Sequence, residues 1–152
     1  MALPNIFTAQ VSAEIINRIN KLQADTPALW GKMSVNQMLA HCNVTYEMIY
    51  DNIHPKPNFL MGFIMKSFVK GKVVGEGTYP KSSPTAPAFV IKNEPDFELQ
   101  KTRLIDFINK TQQLGENEFD GKASHSFGVL NKTEWNNMMY KHLHHHLGQF
   151  GV

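Results

Sequence analysis

Apolar residues recur along most of this chain at three- and four-residue intervals, the period of a helix that buries one face. Val11, Ile15, Ile16, Ile19 and Leu22 form such a stripe and predict a helix over 9–23. Asp25-Thr26-Pro27 ends it, because proline disfavours helix in the residue before it. A second helix opens at Ser34, where Ser34-Val35-Asn36-Gln37 has the form of a capping box. It runs to 51 or 52 with Met38, His41, Thr45, Met48 and Ile49 on its inner face, and Pro55 and Pro57 stop it.

The stretch 58–73 reads as a shorter helical piece, apolar at Phe59, Leu60, Phe63, Ile64, Met65, Phe68 and Val69 and polar at Lys66, Lys70 and Lys72. From 71 to 95 the chain turns to Gly, Pro, Ser and Thr, with Lys81-Ser82-Ser83-Pro84-Thr85-Ala86-Pro87 as a loop; so long an irregular segment often shapes a binding site. Asp96 is the expected N-cap of a helix ending at Leu114, with Phe97, Leu104, Ile105, Phe107 and Ile108 inward and Gly115 as terminator. Residues 116–130 read as irregular, and Asn131-Lys132-Thr133-Glu134 caps a last helix that continues to about 147. No strand period or internal repeat is visible. The pattern predicts an all-α fold, an antiparallel four-helix bundle with a short extra helix and a long loop between the second and third bundle helices. At 152 residues, the expectation is one domain spanning 1–152.

Composition narrows the function classes. A formal net charge of +2 is too small for the basic stripe that nucleic-acid binding requires. The longest apolar run, 59–65, is far below the ~20 residues of a membrane span. The N-terminal MALPNIFTAQ has neither a basic region nor an apolar core of a signal peptide, and the lone Cys42 excludes an intrachain disulfide. The expectation is a soluble, cytoplasmic protein with no nucleic-acid or membrane partner.

Candidate chemistry concentrates in the last helix, where His142, His144, His145 and His146 lie close together. At ~100° per residue, Trp135, Met139, His142, His146 and Gln149 fall within an arc of about 80°, while His144 points nearly opposite and His145 sits at one edge. His142 and His146, one turn apart on the core-facing stripe, have the spacing of two imidazoles that chelate one metal ion. His41 lies on the inner face of the second helix and is the third candidate; its alternative is a core histidine bonded to a backbone carbonyl. Gln37 and Gln149 stand one turn from candidate ligands and serve either as their hydrogen-bond partners or as helix-end polar groups. Glu47 and Asp51 project away from the His41 face, so no carboxylate offers itself as a base. His125, in the loop before the last helix, is the candidate catalytic acid–base group. The 59–73 segment and the proline-rich loop either wall a pocket over the site or turn an apolar face to the bundle or to a dimer partner.

Two segments carry a family resemblance. Leu29-Trp30-Gly31-Lys32-Met33-Ser34-Val35-Asn36-Gln37-Met38-Leu39-Ala40-His41 resembles the W-G-x-M-[ST]-x-x-Q-x-L-x-H entry of the DinB/YfiT-like superfamily. His125-Ser126-Phe127-Gly128, Glu134-Trp135 and the run His142 to Gln149 resemble its C-terminal end, H-P-x-F-G … E-W … H-x-x-x-H-x-G-Q, with a departure at Ser126 where proline is usual. The likeness is strongest to a subfamily classed as a domain of unknown function. It implies a four-helix bundle, a homodimer, and one divalent metal held by His41, His142 and His146. Zinc is the default ion, and nickel, iron or copper also suit imidazole. Relatives in the superfamily include S-transferases that use a low-molecular-weight thiol, and metal-dependent hydrolases. The functional expectation is therefore a metal-dependent transferase or hydrolase acting on a small molecule; the alternative is a non-catalytic metal- or ligand-binding stress-response module.

Overall fold

The computed structural model describes residues 2–81 and 83–152; Met1 and Ser82, the latter inside the expected proline-rich loop, lie outside them. α1 (Ala9–Asn20) begins where the Thr8 hydroxyl accepts from the Val11 amide. α2 (Val35–Tyr50) opens on the expected capping box, Ser34 accepting from the Gln37 amide and the Gln37 side chain accepting from the Ser34 amide. The next helical stretch changes its winding midway: α3 (Phe59–Ile64), a π-helical turn (Met65–Val69) and α4 (Lys70–Val74). A short 3-10 turn covers Pro87–Phe89.

α5 (Phe97–Leu114) starts at Asp96, whose side chain accepts from the Leu99 amide. It stops at Gly115, whose φ of 75° suits a residue without Cβ. α6 (Glu116–Phe119) and the strands β1 (Lys122–Ser124) and β2 (Gly128–Leu130) lead into α7 (Lys132–Gln149), capped by Asn131 and Glu134 as expected.

The fold is predominantly helical. α2 packs on α5, α1 on α5, and α7 touches α1, α2 and α4. Ile15, Ile19, Met38, Leu39, Leu104, Ile108, Trp135, Met139, Leu143 and Leu147 fill one apolar core between them. Among the described residues, no helix is long and apolar enough to cross a membrane.

The stretch 116–130, read above as irregular, instead holds α6 and an antiparallel hairpin that pairs Lys122 with Leu130 and Ser124 with Gly128. Three-residue strands are too short to display an alternating pattern. The pairing is fixed by the turn, where Ser124 Oγ donates to the Gly128 carbonyl and Gly128 takes φ 74°.

The α3–α4 stretch has two apolar faces. Met61, Met65, Val69 and Val73, spaced by four, line a cavity over α2 and α7. Phe59, Phe63 and Phe68 point outward at 94%, 60% and 70% exposure. The stretch is tied down at its C-terminal end. Buried Lys141 Nζ donates to the carbonyls of Lys72 (2.8 Å) and Gly75 (2.6 Å), and Asn137 Nδ2 donates to that of Val74 (2.9 Å). A cation on the last carbonyls of a helix satisfies orphan acceptors and opposes the dipole's negative end.

Candidate metal centre

α2 and α7 carry the three histidines to a common point because each places them on its core-facing stripe, among Met38 and Thr45 on one side and Trp135 and Met139 on the other. One ligand atom from each of His41, His142 and His146 lies within 4.8 Å of the other two. His41 Nε2 and His142 Nε2 are 2.9 Å apart. Three nitrogens on a tetrahedral zinc stand about 3.3 Å from one another. The separation therefore fits donors to a shared ion.

The far side of each ring is held by a specific partner. His41 Nδ1 donates to the Phe89 carbonyl at 2.9 Å, in the 3-10 turn. His146 Nδ1 donates to Gln149 Oε1 at 2.9 Å. His142 Nδ1 meets the Thr45 hydroxyl at 3.1 Å, and a hydroxyl serves as donor or acceptor. The carbonyl acceptors place the proton on Nδ1 of His41 and His146 and leave their Nε2 lone pairs directed inward, the arrangement a metal ligand needs. The Thr45 hydroxyl is able to accept from His142 Nδ1 in the same way.

Gln149 is itself oriented, because its Nε2 donates to the Trp30 carbonyl at 2.8 Å. Next to it Gly31 takes φ 83°, and a Cβ there would stand 2.6 Å from Gln149 Nε2. The Trp30-Gly31 pair and the terminal Gly148-Gln149 pair thus form one contact, from which His146 takes its ring orientation. Of the two glutamines, Gln149 bonds to the candidate ligand His146 and Gln37 is a cap.

Electrostatics agree with this geometry. Burial, then repulsion from His146 and His41, holds His142 well below the ordinary imidazole range. Burial, then His41, lowers His146 to about 3. Burial lowers His41 too, against the opposing bond from Phe89. All three rings are neutral at pH 7, so binding a cation there displaces no proton.

The three histidines open into a cavity of about 870 Å³. Its lining includes Pro55, Met61 and Pro84, which are solvent-exposed, so it has a mouth. His145, at the edge of the α7 arc, lines it against Trp30 and Tyr79. His144 is exposed, stacked on Tyr140 and bonded to Arg18.

His125 also lines the cavity, but both its nitrogens are engaged: Nε2 donates to the His54 carbonyl at 3.1 Å and Nδ1 meets Ser126 Oγ at 2.8 Å. Glu47 is buried outside the cavity, paired with Arg103 (2.7 Å) and His54 (2.7 Å). Cys42 is buried beside Met38, its thiol pushed far up by burial. Sequence reasoning missed the Phe89 carbonyl, which no residue type announces, and the structural roles of Lys141 and His54. Thr45 was legible as a neighbour of His41, four residues on along the same face.

A family model described as a protein of unknown function, DUF1569, matches residues 6–151. The chain belongs to the DUF1569 family. No curated protein and no solved structure matches it. Membership leaves the activity open, so the DUF1569 chain's function rests on its own site.

Proposed function

We propose that this DUF1569 protein is a divalent-metal-dependent enzyme of the DinB-like bundle class, acting on a small molecule through a site held by His41, His142 and His146. The observation that carries the reading is the triple outward bonding of the rings to Phe89, Thr45 and Gln149. A histidine placed only for packing has no need of a partner that aims its other nitrogen at two further histidines. A divalent ion held by three neutral imidazoles, zinc by default, supplies Lewis acidity and an open position.

The residues around the site favour group transfer from a low-molecular-weight thiol over hydrolysis. Among the described residues no carboxylate lines the cavity. Glu47 is committed to Arg103 and His54, and His125 has no free nitrogen for proton transfer unless Ser126 releases it. A thiol bound as thiolate needs no such base once its proton has left to solvent. The same shortage of acid–base groups favours a second reading, a non-catalytic module that captures a ligand on the metal. Turnover of thiol and electrophile separates the two.

The exposed Phe59, Phe63 and Phe68 on the outside of α3 and the π turn support self-association through that helix, as the DinB-like resemblance implies. The test of the metal reading is metal content by mass spectrometry on untagged protein prepared without nickel resin. Wild type should carry about one divalent ion per chain. His142→Ala should carry a small fraction of that, since losing a ligand exceeds the ~10–100-fold cost of losing an outer partner. Equal, negligible metal in both would end the reading. A screen of thiols with electrophiles on the loaded protein then tests transfer.

A further inference from the structure

The cavity is much larger than a metal and one thiol require, and one of its walls is a continuous apolar stripe. Its volume of about 870 Å³ lies near the top of the ~300–1,000 Å³ range of small-molecule sites. Met61, Met65, Val69 and Val73 make one wall, four residues apart along a helix rewound by a π turn. Met48 and Met138 face the cavity from α2 and α7. Methionine side chains are flexible and polarizable, and surfaces built from them accept apolar ligands of variable shape. The polar lining comes from other elements: Thr45, Gln149 and the three clustered histidines from α2 and α7, Ser83 and Thr85 from the proline-rich loop, and Ser124, His125 and Ser126 from the hairpin.

Charge is distributed as unevenly as polarity. Among the described residues no Asp or Glu lines the cavity, while Lys32 does, and the three clustered histidines are its natural cation site. A ligand matched to this wall pattern has an aliphatic body and one compact anionic end. A cationic head would meet the metal's charge with no carboxylate to offset it.

We propose that the cavity binds a single-chain amphiphile, its aliphatic chain along the Met61–Met65–Val69–Val73 stripe and its compact anionic, metal-ligating head, a carboxylate or thiolate, at His41, His142 and His146. The head assignment rests on the metal reading above; the chain assignment rests on the cavity wall. The winding change at Met65–Val69 has a use in this arrangement. A four-residue spacing drifts by about 40° per step on an α-helix. The wider π turn takes back part of that drift, so that Met61, Met65, Val69 and Val73 stay on the cavity side of a segment anchored at its far end by Lys141.

Calorimetric titration of octanoate, dodecanoate and dodecyltrimethylammonium into the full chain loaded stoichiometrically with Zn²⁺, below their micelle concentrations, tests the proposal. Affinity should rise about three- to fourfold per buried methylene, so dodecanoate should bind on the order of one hundredfold tighter than octanoate. The trimethylammonium analogue should bind at least about tenfold more weakly than dodecanoate. Met65→Glu should lower dodecanoate affinity at least about tenfold with zinc content unchanged. Met61→Gln gives a milder loss should the first variant fold poorly. Equal affinities for octanoate and dodecanoate, or tight binding of the cationic analogue, overturn the proposal. Native mass spectrometry before any amphiphile is added reports zinc separately. A wild-type chain that takes no zinc refutes the metal reading and the head assignment with it. Zinc bound without chain-length dependence refutes the amphiphile alone.

Discussion

Two helical faces of this protein invert the usual sorting of side chains, and in opposite directions. Where α2 meets α7, His41, Thr45, His146 and Gln149 are buried among Met38, Trp135 and Met139. On the outside of α3, Phe59, Leu60 and Phe63 stand in solvent. The buried polar face is fully partnered: each histidine has a hydrogen-bond acceptor or hydroxyl on its Nδ1, so the cost of burying it is offset within the fold. The exposed apolar face has no such compensation inside the chain. Buried polar groups with complete bonding and exposed apolar groups in a contiguous stripe are the two departures from ordinary sorting that carry information about function. Here the first is the basis of the proposed metal site and the second of the proposed self-association.

That contrast can be broken at several points. The largest effect belongs to the apolar floor of the inner face. Trp135→Ala removes a ring packed on Phe119 and should cost about 3–5 kcal/mol in chemical denaturation. A cost under ~1 kcal/mol would mean that α7 is not anchored there.

Acid should act next most strongly, on metal-stripped protein. His146 is held near 3, and His41 and His142 also below the ordinary 6.5, in the folded state only. Between about pH 6.5 and 3 the unfolded chain therefore binds more protons than the folded one. Stability is complete above pH 6.5 and falls with acidification, by about 1.4 kcal/mol per pH unit for each excluded proton. His146→Gln should flatten that slope. A flat stability profile from pH 7 to 5 in wild type would show the rings to be solvated.

Gln149→Ala should weaken zinc binding about 10–100-fold, read by competition with a chelator, because His146 loses the acceptor that sets its tautomer. Unchanged affinity would demote the Trp30–Gln149–His146 chain to packing. The smallest effect is expected at the outer face. Phe63→Ser should change monomer stability by no more than about 0.5 kcal/mol, yet shift the mass measured by light scattering from dimer toward monomer. A large loss of stability instead would place Phe63 in the core.

How much of this was legible beforehand differs by kind of feature. The caps at Ser34, Asp96 and Asn131 were readable because each is a short-range bond between a side chain and the amide three residues on. The helical stripes were readable for the same reason, as was the placing of His142 and His146 on the buried side of α7 and His144 on the exposed one. The hairpin at 122–130 was not, since three-residue strands have no period to see and their register is closed by Ser124 and Gly128. Nor was the split of α3–α4 into a cavity face and a solvent face, because a helix with apolar residues on two sides does not say which side its neighbours cover.

By itself, then, the order of residues determined which long segments wind into helices, where they start, and which imidazoles share a buried face, all consequences of interactions spanning a turn or two. The tertiary structure alone decided that the Phe89 carbonyl meets His41, that Trp30 and Gly31 seat Gln149 behind His146, and that the Met61–Val73 stripe roofs a cavity above them. Those contacts join residues tens of positions apart. They depend on the packing of whole helices, a property that no local pattern of side chains contains.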